Sequence, residues 1–148
     1  MEVLPVIHNV SSAQRLLDFA RLAYSLGAEH VIATKVYGAA AQSGVPEVMR
    51  LALKLGKSFA VLPDLPDLLE IYRPDIVIMM YGGAGERIDP FNPPVYRGRV
   101  VVVFNGGEPD FSPVELKHGT PLYLAGTSHK LGAIAEAAIV LYFLMRRG

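Results

Sequence analysis

Two stretches of this chain carry residue types that could do chemistry. The first is Asn105-Gly106-Gly107-Glu108, which ends the apolar run Val100–Phe104. Without a Cβ, glycine lets backbone N–H and C=O groups approach a ligand closely, and loops at strand ends carry function disproportionately. The competing reading is a tight turn, the ordinary use of Asn-Gly. Glu108 then either orients the loop as a site residue or is a solvated surface glutamate. The second stretch is His129-Lys130, beside the presumed pocket at the start of the last helix. A histidine near neutral pKa can act as a general base; the alternative is a helix-start side chain facing water. His8 ends an apolar strand and reads as a core histidine. His30, His118 and His129 show no metal-ligand spacing, so no metal is expected.

These residues need a framework to hold them. The 148 residues are most simply one domain spanning 1–148, with a full core. Apolar residues make up 51%, which argues against disorder. No apolar run reaches the ~18 residues that span a bilayer, and the start, MEVLPVIHNV, lacks a basic leader. There is no cysteine, so disulfides and thiolate sites are excluded. The expectation is a soluble cytoplasmic protein with no membrane partner. Fourteen basic residues balance fourteen acidic ones, which argues against a bulk electrostatic grip on nucleic acid.

Apolar strands alternate with helices of 3-4 apolar spacing. Strands are expected at Glu2–His8, His30–Thr34, Ser58–Leu62, Ile76–Met80, Val100–Phe104 and Pro121–Ala125. Helices are expected over Ala13–Leu26, Glu47–Leu55, Asp67–Tyr72 and Leu131–Phe143, with Pro46 at a helix start and Gly27 and Gly56 at helix ends. Val36–Val45 reads as a loop with room for a helical turn. Tyr81–Gly98, with glycines at 82, 83 and 85, breaks the pattern, as functional segments often do. Alternation of this kind implies an α/β fold: a mainly parallel sheet with helices on both faces.

At the carboxyl third the residues resemble the SPOUT superfamily of S-adenosylmethionine-dependent RNA methyltransferases, nearest its SpoU-like branch and a small archaeal family of SpoU-like proteins. The resemblance rests on Gly106-Gly107-Glu108 after a strand with Ser112 beyond, then Leu122–Ala125, Gly126, and a small-residue helix with Ile139-Val140-Leu141-Tyr142 near its end. Arg21, six residues before Gly27, matches a further motif. It implies a C-terminal trefoil knot (the SPOUT, or alpha-beta knot, fold), a homodimer and bound S-adenosyl-L-methionine. The cofactor would lie against Phe104, Asn105, Gly106, Gly107, Leu124, Ala125, Gly126, Leu131, Gly132 and Ala133. Arg21 would act at a ribose 2′-hydroxyl of RNA, beside Glu108 and His129 as the other catalytic residues. The chain departs from the branch where Arg15 and Leu17 stand for an asparagine and a glycine, and where Lys130-Leu131-Gly132 stands for Ser-Leu-Asn.

The leading expectation is therefore ribose 2′-O-methylation of structured tRNA or rRNA. A catalytically inactive knotted or flavodoxin-like ligand- or RNA-binding module is the alternative, favoured by the missing asparagines. Third stands a nuclease, from Pro109-Asp110 and Glu115-Leu116-Lys117, which resemble a PD…ExK pattern. That pattern needs its carboxylates on adjacent strands around a shared metal. Four residues between Asp110 and Glu115 cannot supply a strand, a turn and a partner strand. The match therefore reads as chance.

Overall fold

The computed structural model describes residues 1–82 and 85–147; Gly83, one of the glycines singled out above, lies outside them. Among the described residues, seven parallel strands form one sheet: β1 (Glu2–Val10), β2 (His30–Val36), β3 (Ser58–Leu62), β4 (Ile76–Met80), β5 (Glu86–Ile88), β6 (Arg99–Asn105) and β7 (Thr120–Leu124). Their order across the sheet is β3-β2-β1-β6-β4-β7-β5. The chain winds outward from β1 through β2 and β3, then crosses to build the other half. The two halves part between β1 and β6, and ligands of open α/β sheets bind at the carboxyl ends of strands flanking such a point.

The helices are α1 (Ala13–Ser25), α2 (Val45–Leu55), α3 (Leu65–Tyr72), α4 (Pro113–Leu116) and α5 (Ala133–Arg147). Ser12 caps α1 by accepting from the Arg15 N–H, and Gly56 closes α2 in the left-handed conformation. The segment Val36–Val45, expected as a loop with room for a helical turn, contains a π-helical turn over Ala40–Gly44 that runs into α2. Two elements differ from expectation: β5 lies inside the irregular stretch, and α4 follows the Asn-Gly loop. No described helix is long and apolar enough to cross a membrane.

Alternation along the strands divides the core. On β6, Val100, Val102 and Phe104 face the larger core with α1, α2 and α5, while Val101 and Val103 face a smaller one built with α3. Leu4 and Val6 of β1 and Ile32 of β2 point into the smaller core. Side chains two residues on share a strand face, which brings His8 and Thr34 out at the carboxyl end of that same face.

Candidate metal centre

His8 is 1% exposed and Thr34 fully buried, and the two are register partners on β1 and β2. The His8 Nδ1–Thr34 Oγ1 distance is 2.7 Å, and His8 Nε2 lies 2.5 Å from Glu115 Oε2. The ring also stacks on Phe111, with centroids 5.9 Å apart. An ionised carboxylate can only accept. The network therefore assigns the His8 proton to Nε2, with Thr34 donating to Nδ1.

Glu115 reaches His8 because α4 is opened by a capping box. Its backbone N–H donates to Ser112 Oγ at 3.2 Å, and its Oε1 accepts from the Ser112 N–H at 2.9 Å. The other oxygen is left for His8. Burial raises the Glu115 pKa, but the Ser112 N–H, the His8 hydrogen bond and the nearby Lys35 charge outweigh it, and the carboxyl titrates below its usual range.

Asp64 completes the cluster from the turn after β3. It caps α3, accepting from the Leu65 N–H at 2.7 Å, and its own N–H donates to Asp67 Oδ2 at 3.0 Å. The ligating atoms of His8, Asp64 and Glu115 all lie within 4.8 Å of one another. One imidazole nitrogen with two carboxylates is a donor set that suits divalent metals from magnesium and manganese to zinc. The Thr34 hydroxyl can donate or accept, so it can serve either tautomer of the ring. The donors fit a cation, which corrects the expectation of no metal. Sequence spacing could not reveal this set, because 107 positions separate His8 from Glu115.

Most of the predicted cofactor residues gather apart from this cluster, beside the glycine loop. A cavity of about 510 Å³ is lined there by Arg15, the loop residues Asn105–Glu108, Asp110 and Lys130–Ala135. Of the expected set, Asn105, Gly106, Gly107, Leu131, Gly132 and Ala133 line it, as does Glu108. Phe104 is fully buried in the core and Leu124 nearly so; neither they, Ala125 nor Gly126 line the cavity. Arg21 is exposed on α1 and His129 is exposed ahead of α5, and neither reaches the cavity or the metal centre. Arg15, not picked as a site residue, reaches the cavity and donates to the Gly106 carbonyl at 2.6 Å.

The PD…ExK pair does not converge. Asp110 Oδ1 accepts from the Phe111 N–H at 2.8 Å, and Oδ2 pairs with Lys130 at 3.4 Å. Glu115 instead turns to His8. Lys117 is the exposed C-cap residue of α4.

The family model described as RecB-family nuclease (DUF2122) matches residues 38–143. A protein of Aeropyrum pernix named as a candidate type II restriction enzyme is 52% identical over 149 residues, covering 100% of this chain and 96% of the relative. A Methanocaldococcus jannaschii protein named in the same way is 32% identical over 143 residues, covering 95% of this chain and 94% of its own. Among solved structures, the SpoU methyltransferase AviRb from Streptomyces viridochromogenes superposes with a TM-score of 0.74 at 15% identity, covering 97% of this chain and 59% of that one. An rRNA methyltransferase from Sinorhizobium meliloti gives 0.74 at 17%, covering 99% and 56%. This chain thus spans less than three fifths of both neighbours, and at such identity the likeness carries the fold alone.

Two expectations are overturned here. The chain's kinship by sequence is with proteins described as nucleases, which contradicts an S-adenosylmethionine-dependent RNA methyltransferase and its cofactor. The physical reason is that the resemblance lay in backbone: a strand, a glycine loop and a small-residue helix, which the fold alone requires. The side chains that would have carried methyltransferase chemistry are replaced at Arg15, Leu17, Lys130 and Gly132.

Proposed function

The chain belongs to the family described as RecB-family nuclease (DUF2122), and we propose that it hydrolyses phosphodiester bonds of DNA, using a divalent cation held by His8, Asp64 and Glu115. The observation that carries this reading is the convergence of those three ligating atoms within 4.8 Å. A bound divalent ion lowers the pKa of a coordinated water and offsets charge building on the phosphate. In hydrolysis, water adds to phosphorus as one ester P–O bond breaks, giving a phosphomonoester and a free hydroxyl.

The chain's own residues prepare that step. His8 would ligate through Nε2, with Nδ1–H donating to Thr34 Oγ1; such a partner fixes the tautomer and the ring plane. Hydrogen bonds and charge around Glu115 keep it anionic, as a ligand must be. His8 is buried, Glu115 partly exposed and Asp64 exposed, so the donors form a cup open on the solvent side, where a phosphate can approach. The PD…ExK residues play no part as a pair.

The test is cleavage of end-labelled DNA with magnesium or manganese, comparing the wild type with Asp64→Asn. Asparagine is as good an N-cap as aspartate, so the variant keeps α3. Ion-dependent cleavage that falls at least a hundredfold in a variant of unchanged melting temperature is the expected result. Absence of cleavage with either ion, or full activity in Asp64→Asn, refutes the proposal.

A further inference from the structure

Among the described residues outside helix ends, two other than glycine take a left-handed backbone: Asn9, at φ 63°, and Lys35, at φ 51°. Each directly follows a member of the buried network, Asn9 after His8 and Lys35 after Thr34. Asparagine tolerates this conformation; a lysine in it is strained, and such strain concentrates at functional sites. The bend has a local effect. The Lys35 N–H donates to the Pro63 carbonyl at 3.1 Å, tying the end of β2 to the turn that carries Asp64. The Lys35 side chain is exposed, makes no ion pair among the described residues, and its charge bears on Glu115.

Beside it runs an open groove of about 430 Å³, lined by Lys35, Val36, Tyr37, Val61, Leu62 and Pro63. Tyr37 is 46% exposed and Val61 42% exposed, large apolar surface for two neighbouring positions. The Tyr37 backbone is anchored by its N–H to the Val10 carbonyl at 3.1 Å. An aromatic face, an apolar wall and an unpaired lysine adjoin the turn of a metal-ligand carboxylate. A stacked base needs the first two, and a backbone phosphate needs the third.

Resting on the phosphodiesterase reading, we propose that this groove seats one unpaired nucleotide of the DNA strand being cut, its base stacked on Tyr37 and a flanking phosphate paired with Lys35. In a duplex both faces of a base are covered by its neighbours, so the groove selects single strands or frayed ends. Lys35, and not Lys117 of the PD…ExK pattern, is the cation that meets the strand.

The experiment is fluorescence anisotropy of a labelled oligothymidine and of a duplex of equal length, in calcium, across a range of salt. The proteins are the wild type, Tyr37→Ala, Tyr37→Phe, Lys35→Met and Lys117→Ala, each checked for an unchanged melting transition. The wild type should prefer the single strand. Tyr37→Ala should weaken that binding by about tenfold or more, since stacking on an aromatic is worth ~1–3 kcal/mol per base, while Tyr37→Phe retains it. Lys35→Met should lower the slope of log K against log salt by about 0.7, the loss of one single-strand phosphate contact. Lys117→Ala should match the wild type. Equal binding by wild type, Tyr37→Ala and Lys35→Met overturns the groove while metal-dependent cleavage keeps the reading beneath it. A wild type that neither binds nor cuts DNA fails that reading itself.

Discussion

Thr34→Val isolates the part of the proposed metal centre that is easiest to mistake for plain structure. The two side chains have nearly the same shape, Thr34 is fully buried, and its hydroxyl sits 2.7 Å from His8 Nδ1. Valine leaves that nitrogen in the core without a partner. A buried polar group so stranded costs about 1–3 kcal/mol; removing the hydroxyl's own desolvation puts this change in the lower half, about 1–2 kcal/mol. At about 3 °C per kcal/mol for a chain of this size, melting should fall by roughly 3–6 °C. The second effect is larger in its own assay. Loss of a ligand's supporting hydrogen bond weakens metal binding about 10–100-fold. With manganese at about a hundred times the wild-type Kd, the ion stabilises the wild type by ~2.7 kcal/mol, and by ~1.4 kcal/mol after a tenfold loss. Melting scans with and without manganese, joined to a calorimetric titration, read both numbers. A variant that melts early yet binds manganese as the wild type does would refute the reasoning, making Thr34 a core residue and His8 no ligand.

Other consequences follow from the same structure. Tyr24 donates to the Ser58 carbonyl at 2.7 Å, so Tyr24→Phe should cost about 1 kcal/mol in denaturant unfolding. Burial pushes the Tyr24 pKa from 10.0 up to about 12. The unfolded chain loses this proton first, so the wild type should lose stability from about pH 10 to 12 relative to Tyr24→Phe. Glu136 is 4% exposed, and one of its oxygens has no hydrogen-bond partner among the described residues. Burial raises its pKa, Lys130 opposes this and Asp110 adds to it. A raised acid destabilises the fold only above its unfolded pKa. Glu136→Gln should therefore raise the melting temperature by about 3 °C near neutral pH, on the order of 1 kcal/mol, with the gain vanishing in acid. Gly98 stands at φ 76°, and a Cβ there would lie 2.1 Å from Asp75 Oδ2. Gly98→Ala should cost about 2 kcal/mol or more in urea unfolding, and an unchanged midpoint would show that the turn relaxes freely.

Much of the fold was readable because parallel strands are buried on both faces. Val100–Phe104 and Ile76–Met80 announce themselves as apolar runs, and Gly56 marks the end of α2 by the backbone conformation it alone takes easily. Short elements held by local hydrogen bonds were not. The helix α4 rests on the reciprocal capping of Ser112 and Glu115, a four-residue signal hidden beneath the PD…ExK match. The strand β5 is three residues long and pairs only at the sheet edge with β7. The glycine loop drew notice because its backbone chemistry is local, and it lines a cavity. The candidate metal centre was not foreseen because its three donors come from β1, the turn after β3 and α4, and only the strand order brings them together. His8 was read as a satisfied core histidine; it is buried, as that reading held, but its partner is a carboxylate at the rim.

The most direct test is a crystal structure of the wild type soaked with manganese, with anomalous scattering used to locate the ion. One strong peak is expected within bonding distance of His8 Nε2, Asp64 and Glu115, lost in Glu115→Gln. A peak at Asp110 beside the glycine loop, or none at millimolar manganese, would contradict the proposed metal centre.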